Sequence, residues 1–281
     1  MAKKMVELSQ SIAYEDEMPT KKKKSNRKVT QIALSLLLPV LLLALWIFVT
    51  ATGRVSSYQL PSPLAVIETI QGLAVDGTLW GHLGITVYRV FVGSFIGTVL
   101  AVVLGSIVGF YRKAERIFDP MIQAFKSIPS LAWVPLFILW MGIGEPSKIS
   151  LIAVGVFFPV YLNVVSGILN VDRKLIEVGK VAGFSHYELV RRIILPASLP
   201  SFFTGLRSGL GLGWMFVVAA ELMGASKGLG YLLVIGQNSS APDLIIGSII
   251  LFAIVGKLTD WLIKLVEDRV LKWRDNSVIG G

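Results

Sequence analysis

Six apolar runs, divided by loops of which every second one is basic, constrain this chain more than any other feature. The runs cover Gln31–Ala51, Ile85–Phe110, Ile128–Ile143, Ile149–Leu169, Ala197–Met223 and Asp243–Ile263. A bilayer is crossed by about 20 apolar residues of helix, because lipid leaves every backbone N–H and C=O to be satisfied within the segment. No polar stretch between the runs is long enough for a second soluble domain, and no internal repeat is visible. Only 16% of the 281 residues are charged, against about 25% in soluble domains. The expected fold class is all-α. A polytopic membrane domain of about six transmembrane helices occupies residues 31–265, with a basic tail at 1–30 and a short tail at 266–281.

The third run is short and contains Pro129 and Pro135, so its helix could begin further back, in the amphipathic stretch Ile117, Phe118, Met121, Ile122 and Phe125. The same stretch reads equally well as a helix lying on the membrane surface. The first run follows Lys21–Lys24, Arg27 and Lys28, as a signal sequence would. It is longer than the about 7–15 residues of a signal core and lacks a clear small-x-small cleavage site near the usual distance, so an uncleaved anchor is expected.

The 27 Lys and Arg residues set the orientation. Twenty-one lie in the N-terminal tail, the loops after the second and fourth runs, and the C-terminal tail; the alternate loops hold only Arg54, Lys148 and Lys227. Both termini and both basic loops are expected in the cytoplasm. The net charge of +9 flanks apolar runs, which makes the bilayer and not nucleic acid the partner. On the outer side, Leu60-Pro61-Ser62-Pro63 predicts a short helix outside the membrane, capped by Ser62 and starting at Pro63.

The inventory of reactive groups is thin. With no cysteine, thiolate metal sites, disulfides and cysteine nucleophiles are excluded. His82 and His186 fall on opposite sides of the membrane, cannot share a metal or form a dyad, and read as lone surface residues. Neither Gly179-Lys180 nor Gly256-Lys257 has the earlier glycine and following hydroxyl of a phosphate-cradling loop. Gly224-Ala225-Ser226-Lys227-Gly228-Leu229-Gly230 is on the outer side and reads as a tight re-entry between helices. Uphill transport would therefore need energy from another chain or from an ion gradient.

Ionisable residues within apolar runs face protein or a water-filled path. Arg89 either contacts solute or snorkels to the outer headgroups. Glu221 stands near the outer end of the fifth run as the lone acidic candidate. Lys257 and Asp260 share a helical face and can pair. Gly205, Gly209 and Gly213, spaced by four and joined by Gly211, predict close helix packing, and Pro159 a kink.

The most patterned segment is the loop 171–196. Residues before Gly183 read as a short helix closed by that glycine in left-handed geometry. Ser185 and Glu188 form a capping box for a second helix that carries Leu189, Arg191, Arg192, Ile193 and Ile194 and stops at Pro196. Two short helices fixed at an angle by one glycine make a rigid protruding knob.

Glu177, Gly183 and Leu195-Pro196, at this spacing, resemble the signature loop of binding-protein-dependent ABC importer permeases. That pattern opens Glu-Ala-Ala where this chain has Glu177-Val178-Gly179. Leu60-Pro61-Ser62-Pro63, Ile128–Leu136, Met141–Glu145, Gly205-Leu206-Arg207, Ala219-Ala220-Glu221 and Gly228–Tyr231 extend the resemblance over roughly residues 58–265, towards the sulfonate, taurine and nitrate branch. The nearest members are aliphatic sulfonate permeases.

The resemblance implies a type I importer permease in the bacterial cytoplasmic (inner) membrane. It implies a second permease copy, two cytoplasmic ATPase subunits that bind ATP–Mg, and an external substrate-binding protein, with neither catalysis nor a cofactor in this chain. The knob would be the coupling element that seats in the ATPase, through Glu177, Gly183, Phe184, Ser185, Tyr187, Glu188, Leu195 and Pro196. The solute would be a small anion: an aliphatic sulfonate, or taurine or nitrate. Arg207 leads the substrate-path candidates, followed by Glu221 and Arg89, and Arg207 reads equally well as a structural tie to a backbone carbonyl. The competing classes are an ion-coupled carrier, which usually has inverted repeats and an ion-coupling cluster, and a membrane enzyme, which needs clustered catalytic side chains.

Overall fold

The computed structural model describes residues 23–129 and 132–273, all helix and turn with no strand among them. The chain divides into two units, residues 1–63 and 64–281. In the first, α1 (Lys23–Ala51) starts eight residues before the expected boundary at 31, because the basic residues 23–28 continue the helix. The Trp46 indole donates to the Pro61 carbonyl at 3.0 Å and holds the chain after α1 against its last turns. Residues 1–22 and 274–281, most of the expected N-terminal tail and half of the C-terminal one, lie outside the described residues.

The second unit contains α2 (Pro63–Val75), α3 (Thr78–Phe110), α4 (Arg112–Lys126), α5 (Trp133–Met141), α6 (Glu145–Leu169), α7 (Arg173–Val181), α8 (His186–Leu189), α9 (Leu195–Leu222), α10 (Leu229–Asn238) and α11 (Pro242–Val270). As expected, α2 begins at Pro63. Among the described residues, three helical stretches are long and apolar enough to cross a membrane: Thr78–Phe110, Glu145–Leu169 and the continuous His186–Leu222. The sixth apolar run lies within α11, which extends to Val270.

α6 is the central helix, packed between α3 and α9. It buries Leu151, Ile152, Val156, Val160 and Tyr161 almost completely. Small residues let the backbones approach. Gly205, Gly209 and Gly213 of α9 lie against Pro159, Val160 and Val156 of α6, whereas Gly211 faces open space. α3 carries a second stripe of the same period, Gly93, Gly97, Ala101, Gly105 and Gly109, against Ile152, Ala153, Val164 and Ile168. At Gly97 a Cβ would run into the backbone carbonyl of Ala153, which cannot rotate away. We expect Gly97→Val to lower stability in detergent by about 1–3 kcal/mol through overpacking. Gly81→Val on the same helix, where nothing lies within 4 Å, is the control for the valine itself. Equal melting temperatures for the two variants would mean that the α3–α6 seam tolerates separation.

The third apolar run is not one helix. The chain leaves α4 at Ser127, is out of helix at Pro129, and α5 begins at Trp133. The nine residues of α5 span about 13 Å, too few to cross a hydrocarbon core of about 30 Å alone. Pro129 lacks an N–H and disfavours helix at Ile128, which explains the break. The C-terminal end of α4, exposed from Gln123 to Lys126, stands across a cleft from the middle of α6. Lys126, Ser127, Pro129 and Trp133 line a cleft of about 560 Å³ together with Val154–Asn163 of α6 and Leu212 and Phe216 of α9. Lys126, counted above with the basic loop after the second run, lines this cleft.

Candidate functional site

Two constellations stand out at opposite ends of α9. At the end away from the basic loops, Arg89 of α3 is buried, 2% exposed, and all three of its guanidinium nitrogens are engaged. Nε and Nη2 donate to the two carboxylate oxygens of Glu145 on α6, at 2.7 and 2.5 Å. Nη1 donates to Glu221 Oε1 of α9 and to the Lys227 carbonyl, each at 2.7 Å. Glu221, fully buried, also accepts from the Thr86 hydroxyl at 2.8 Å and from Gly230 N–H at 2.7 Å. Thr86 in turn accepts from Leu229 N–H at 2.8 Å. Lys148, also buried, sits 3.7 Å from Glu145.

Two cations and two carboxylates thus join α3, α6, α9 and the start of α10, with buried Arg89 and Glu221 fully hydrogen-bonded, as removal from water demands, and Lys148 held in ion-pair range of Glu145. The loop residues 224–228 form the expected re-entry, and Gly228 (φ +128°) is needed twice, because a Cβ there would also strike the Glu221 carboxylate. His82, expected as a lone surface residue, accepts from Gly228 N–H at 3.1 Å and stacks on Tyr231. Arg89 does not snorkel, and Glu221 is not a lone acid.

Arg207 is about 21 Å down α9 from Glu221, fourteen residues at the helical rise, and belongs to neither constellation. It forms a two-pronged pair with Asp260 of α11, at 2.9 and 3.3 Å, and reaches Glu267 at 3.3 Å. The tie is made to carboxylates and not to a backbone carbonyl. Lys257 pairs with Asp260 as expected, at 3.5 Å. All three charged residues expected along the substrate path are thus taken up by protein partners. The cleft against Lys126 and Asn163 was missed because Lys126 was counted with a loop; the amphipathic α4 that carries it, followed by Pro129, was the available signal.

The second constellation is the knob. Asp172 caps α7, accepting from Lys174 N–H at 2.9 Å. Gly183 closes the helix at φ +79°, and Phe184 N–H reaches back to the Gly179 carbonyl at 3.0 Å. Ser185 and Glu188 form the expected reciprocal box: Ser185 N–H donates to Glu188 Oε2 at 3.0 Å, and Glu188 N–H to Ser185 Oγ at 3.3 Å. Arg192 pairs with Glu188 and lies over the Phe184 ring. Gly179, where the family pattern has alanine, is buried under Leu189 and Ile193, whose methyl groups a Cβ would crowd. The outward face of the knob is apolar and bare: Val178 is 66% exposed, Val181 90% and Tyr187 69%, with Glu177 exposed beside them.

The second knob helix does not stop at Pro196. It runs on through a single π turn, Val190–Ile194, into α9, with Leu195 N–H bonded to the Val190 carbonyl five residues back. Pro196 offers no N–H to Arg192 and crowds its carbonyl. The chain absorbs both effects by widening one turn.

Residues 97–272 match the family described as binding-protein-dependent transport system inner membrane component. The chain is 42% identical over 255 residues, 91% of itself and 92% of the relative, to the provisionally named aliphatic sulfonates transport permease protein SsuC of Bacillus subtilis. It is 33% identical to the taurine transport system permease protein TauC of Escherichia coli, covering 86% of this chain and 90% of that one. An inward-facing structure of the MetNI methionine ABC transporter aligns at a TM-score of 0.57 over 73% of this chain and 97% of the other, at 23% identity, a likeness of fold. With its knob, its glycine-seamed helices and these matches, the chain belongs to the binding-protein-dependent transport system inner membrane components and is a multi-pass permease component of the inner membrane.

Proposed function

We propose that this permease imports an aliphatic sulfonate, received from an external binding protein and driven by a separate ATPase that binds ATP–Mg and grips the knob, with a second permease copy completing the path. The near full-length likeness to the provisionally named sulfonate permease carries the substrate class. The mechanical part rests on the knob: its capped helices and buried Gly179 make it stiff, and its bare face of Val178, Val181 and Tyr187 offers apolar area to a partner. ATPase closure displaces the knob, the continuous helix 186–222 carries the displacement along its length, and α9 moves against α3 and α6. Arg89 and Glu221 act in this reading as residues that hold the outer end of the path, and Arg207 as a tie that makes α11 follow α9.

The reading is tested by deleting the gene and supplying alkanesulfonates, taurine, sulfate, nitrate or ammonium as sole sulfur or nitrogen source, with purification of the tagged permease alongside. Loss of growth on alkanesulfonates alone, with an ATPase co-purifying, is the expected result. Loss on nitrate or taurine alone would move the substrate to that branch. Uptake by the purified permease without any ATPase would replace the importer with a secondary carrier.

A further inference from the structure

We infer that the cleft between α4, α6 and α9 is a solute site within the permease itself, in which Lys126 and Asn163 hold the anionic head of a small organic anion and Trp133, Phe158 and Phe216 cover its apolar tail. The inference rests on the importer reading above and names the place and chemistry at which that solute is held. The depth of the cleft carries it. The cleft follows α6 from Val154 to Asn163, the middle of a helix that begins at Glu145 and ends at Leu169. Lys126 is exposed and lines the cleft at that level, and a lysine among apolar spans is costly unless it faces protein partners or a polar path. Among the described residues no carboxylate lies within ion-pair distance of Lys126, whereas Lys148 of α6 and Arg207 of α9, the basic residues on the two helices that face it, are both paired.

Asn163 donates to the Pro159 carbonyl at 2.9 Å, which leaves its carbonyl oxygen and second N–H to the cleft. Apart from Ser127, whose hydroxyl donates to the Gln123 carbonyl, the rest of the wall is aromatic and aliphatic, and the volume of about 560 Å³ exceeds what a bare inorganic anion needs. One unpaired cation, one amide and an apolar wall match an anion with a hydrocarbon tail better than nitrate.

The absence of cysteine in the chain makes the test direct. The whole importer, with its ATPase and binding protein, is reconstituted with Lys126→Cys and assayed for uptake of butanesulfonate and for ATP hydrolysis stimulated by the loaded binding protein. We expect uptake to fall at least about tenfold, as for loss of a charge-assisted contact, with stimulated hydrolysis within about twofold of wild type. Treatment with 2-aminoethyl methanethiosulfonate, which restores a cation at position 126, is expected to restore most uptake, and the 2-sulfonatoethyl reagent none. Trp133→Ala is expected to weaken butanesulfonate uptake more than methanesulfonate uptake.

Uptake by Lys126→Cys within twofold of wild type, or a thiol that neither reagent reaches in the assembled complex, would overturn the site. Equal rescue by both reagents would also overturn it. A wild-type importer that carries no sulfonate at all would be a failure of the substrate reading, and it is recognised before any variant is made.

Discussion

Arg89→Met is expected to yield little folded permease. It leaves Glu221, fully buried, and the Lys227 carbonyl without their main donor, while Glu145 loses a two-pronged partner. Breaking one side of a buried ion network costs about 3–5 kcal/mol, mostly the penalty of the charge left behind, and that is a large share of the stability of an ordinary domain. Arg207→Met is the comparison. Arg207 and Asp260 are about a third exposed, so water screens them and the expected loss is about 0–1 kcal/mol. The measurement is the yield and thermal midpoint of the two purified variants in one detergent. Adding Glu221→Gln to Arg89→Met should recover part of the loss, since the uncompensated charge is then gone. If Arg89→Met melts with Arg207→Met, the outer network does not pin the helices together.

Gly183→Val is expected to separate ATP hydrolysis from uptake. The residue sits at φ +79° with open space around it, so the valine meets no neighbour and the effect is conformational alone. Left-handed geometry costs an L-residue about 1–2 kcal/mol, more for a branched one. The strain is relieved by opening the turn that sets α7 against α8. Solute moved per ATP should fall several-fold in reconstituted importer while hydrolysis persists. Gly183→Asn, a residue that tolerates this geometry, should keep most of the coupling. Normal coupling in both variants would show that the knob angle is unimportant, and equal loss in both would point to contact with the partner instead of geometry.

The helices were legible in the sequence wherever their signals were local. Ser185 and Glu188 announce a capping box because the box closes within four residues, and Gly183 announces a left-handed turn because only glycine takes it freely. Pro63 marks the start of α2 for the same reason. What stayed hidden depends on distance along the chain. Arg89 and Glu221 meet across 132 positions, and read singly each has a bland explanation, one as a headgroup contact and the other as a stray acid. Lys126 counts as a loop charge by its sequence neighbours, and only the fold sets it at a cleft facing Asn163. The α3 stripe from Gly93 to Gly109 carries the same period of four as the stripe on α9, and that signal is local and legible. Pro196 was read as a stop because proline ends most helices; the π turn that tolerates it has no sequence signature of its own.

That turn fixes a bearing. Each residue of an α-helix advances the chain by about 100°, and the widened turn at Val190–Ile194 holds one residue more than an α-helical turn closing the same hydrogen bond would. The compass direction in which Val178, Val181 and Tyr187 point is therefore set by a count of residues between Leu189 and Pro196, independently of their chemistry. A relative shortened by one residue there would keep the same knob and the same membrane helix while presenting its apolar face about a quarter-turn away from the direction it holds here.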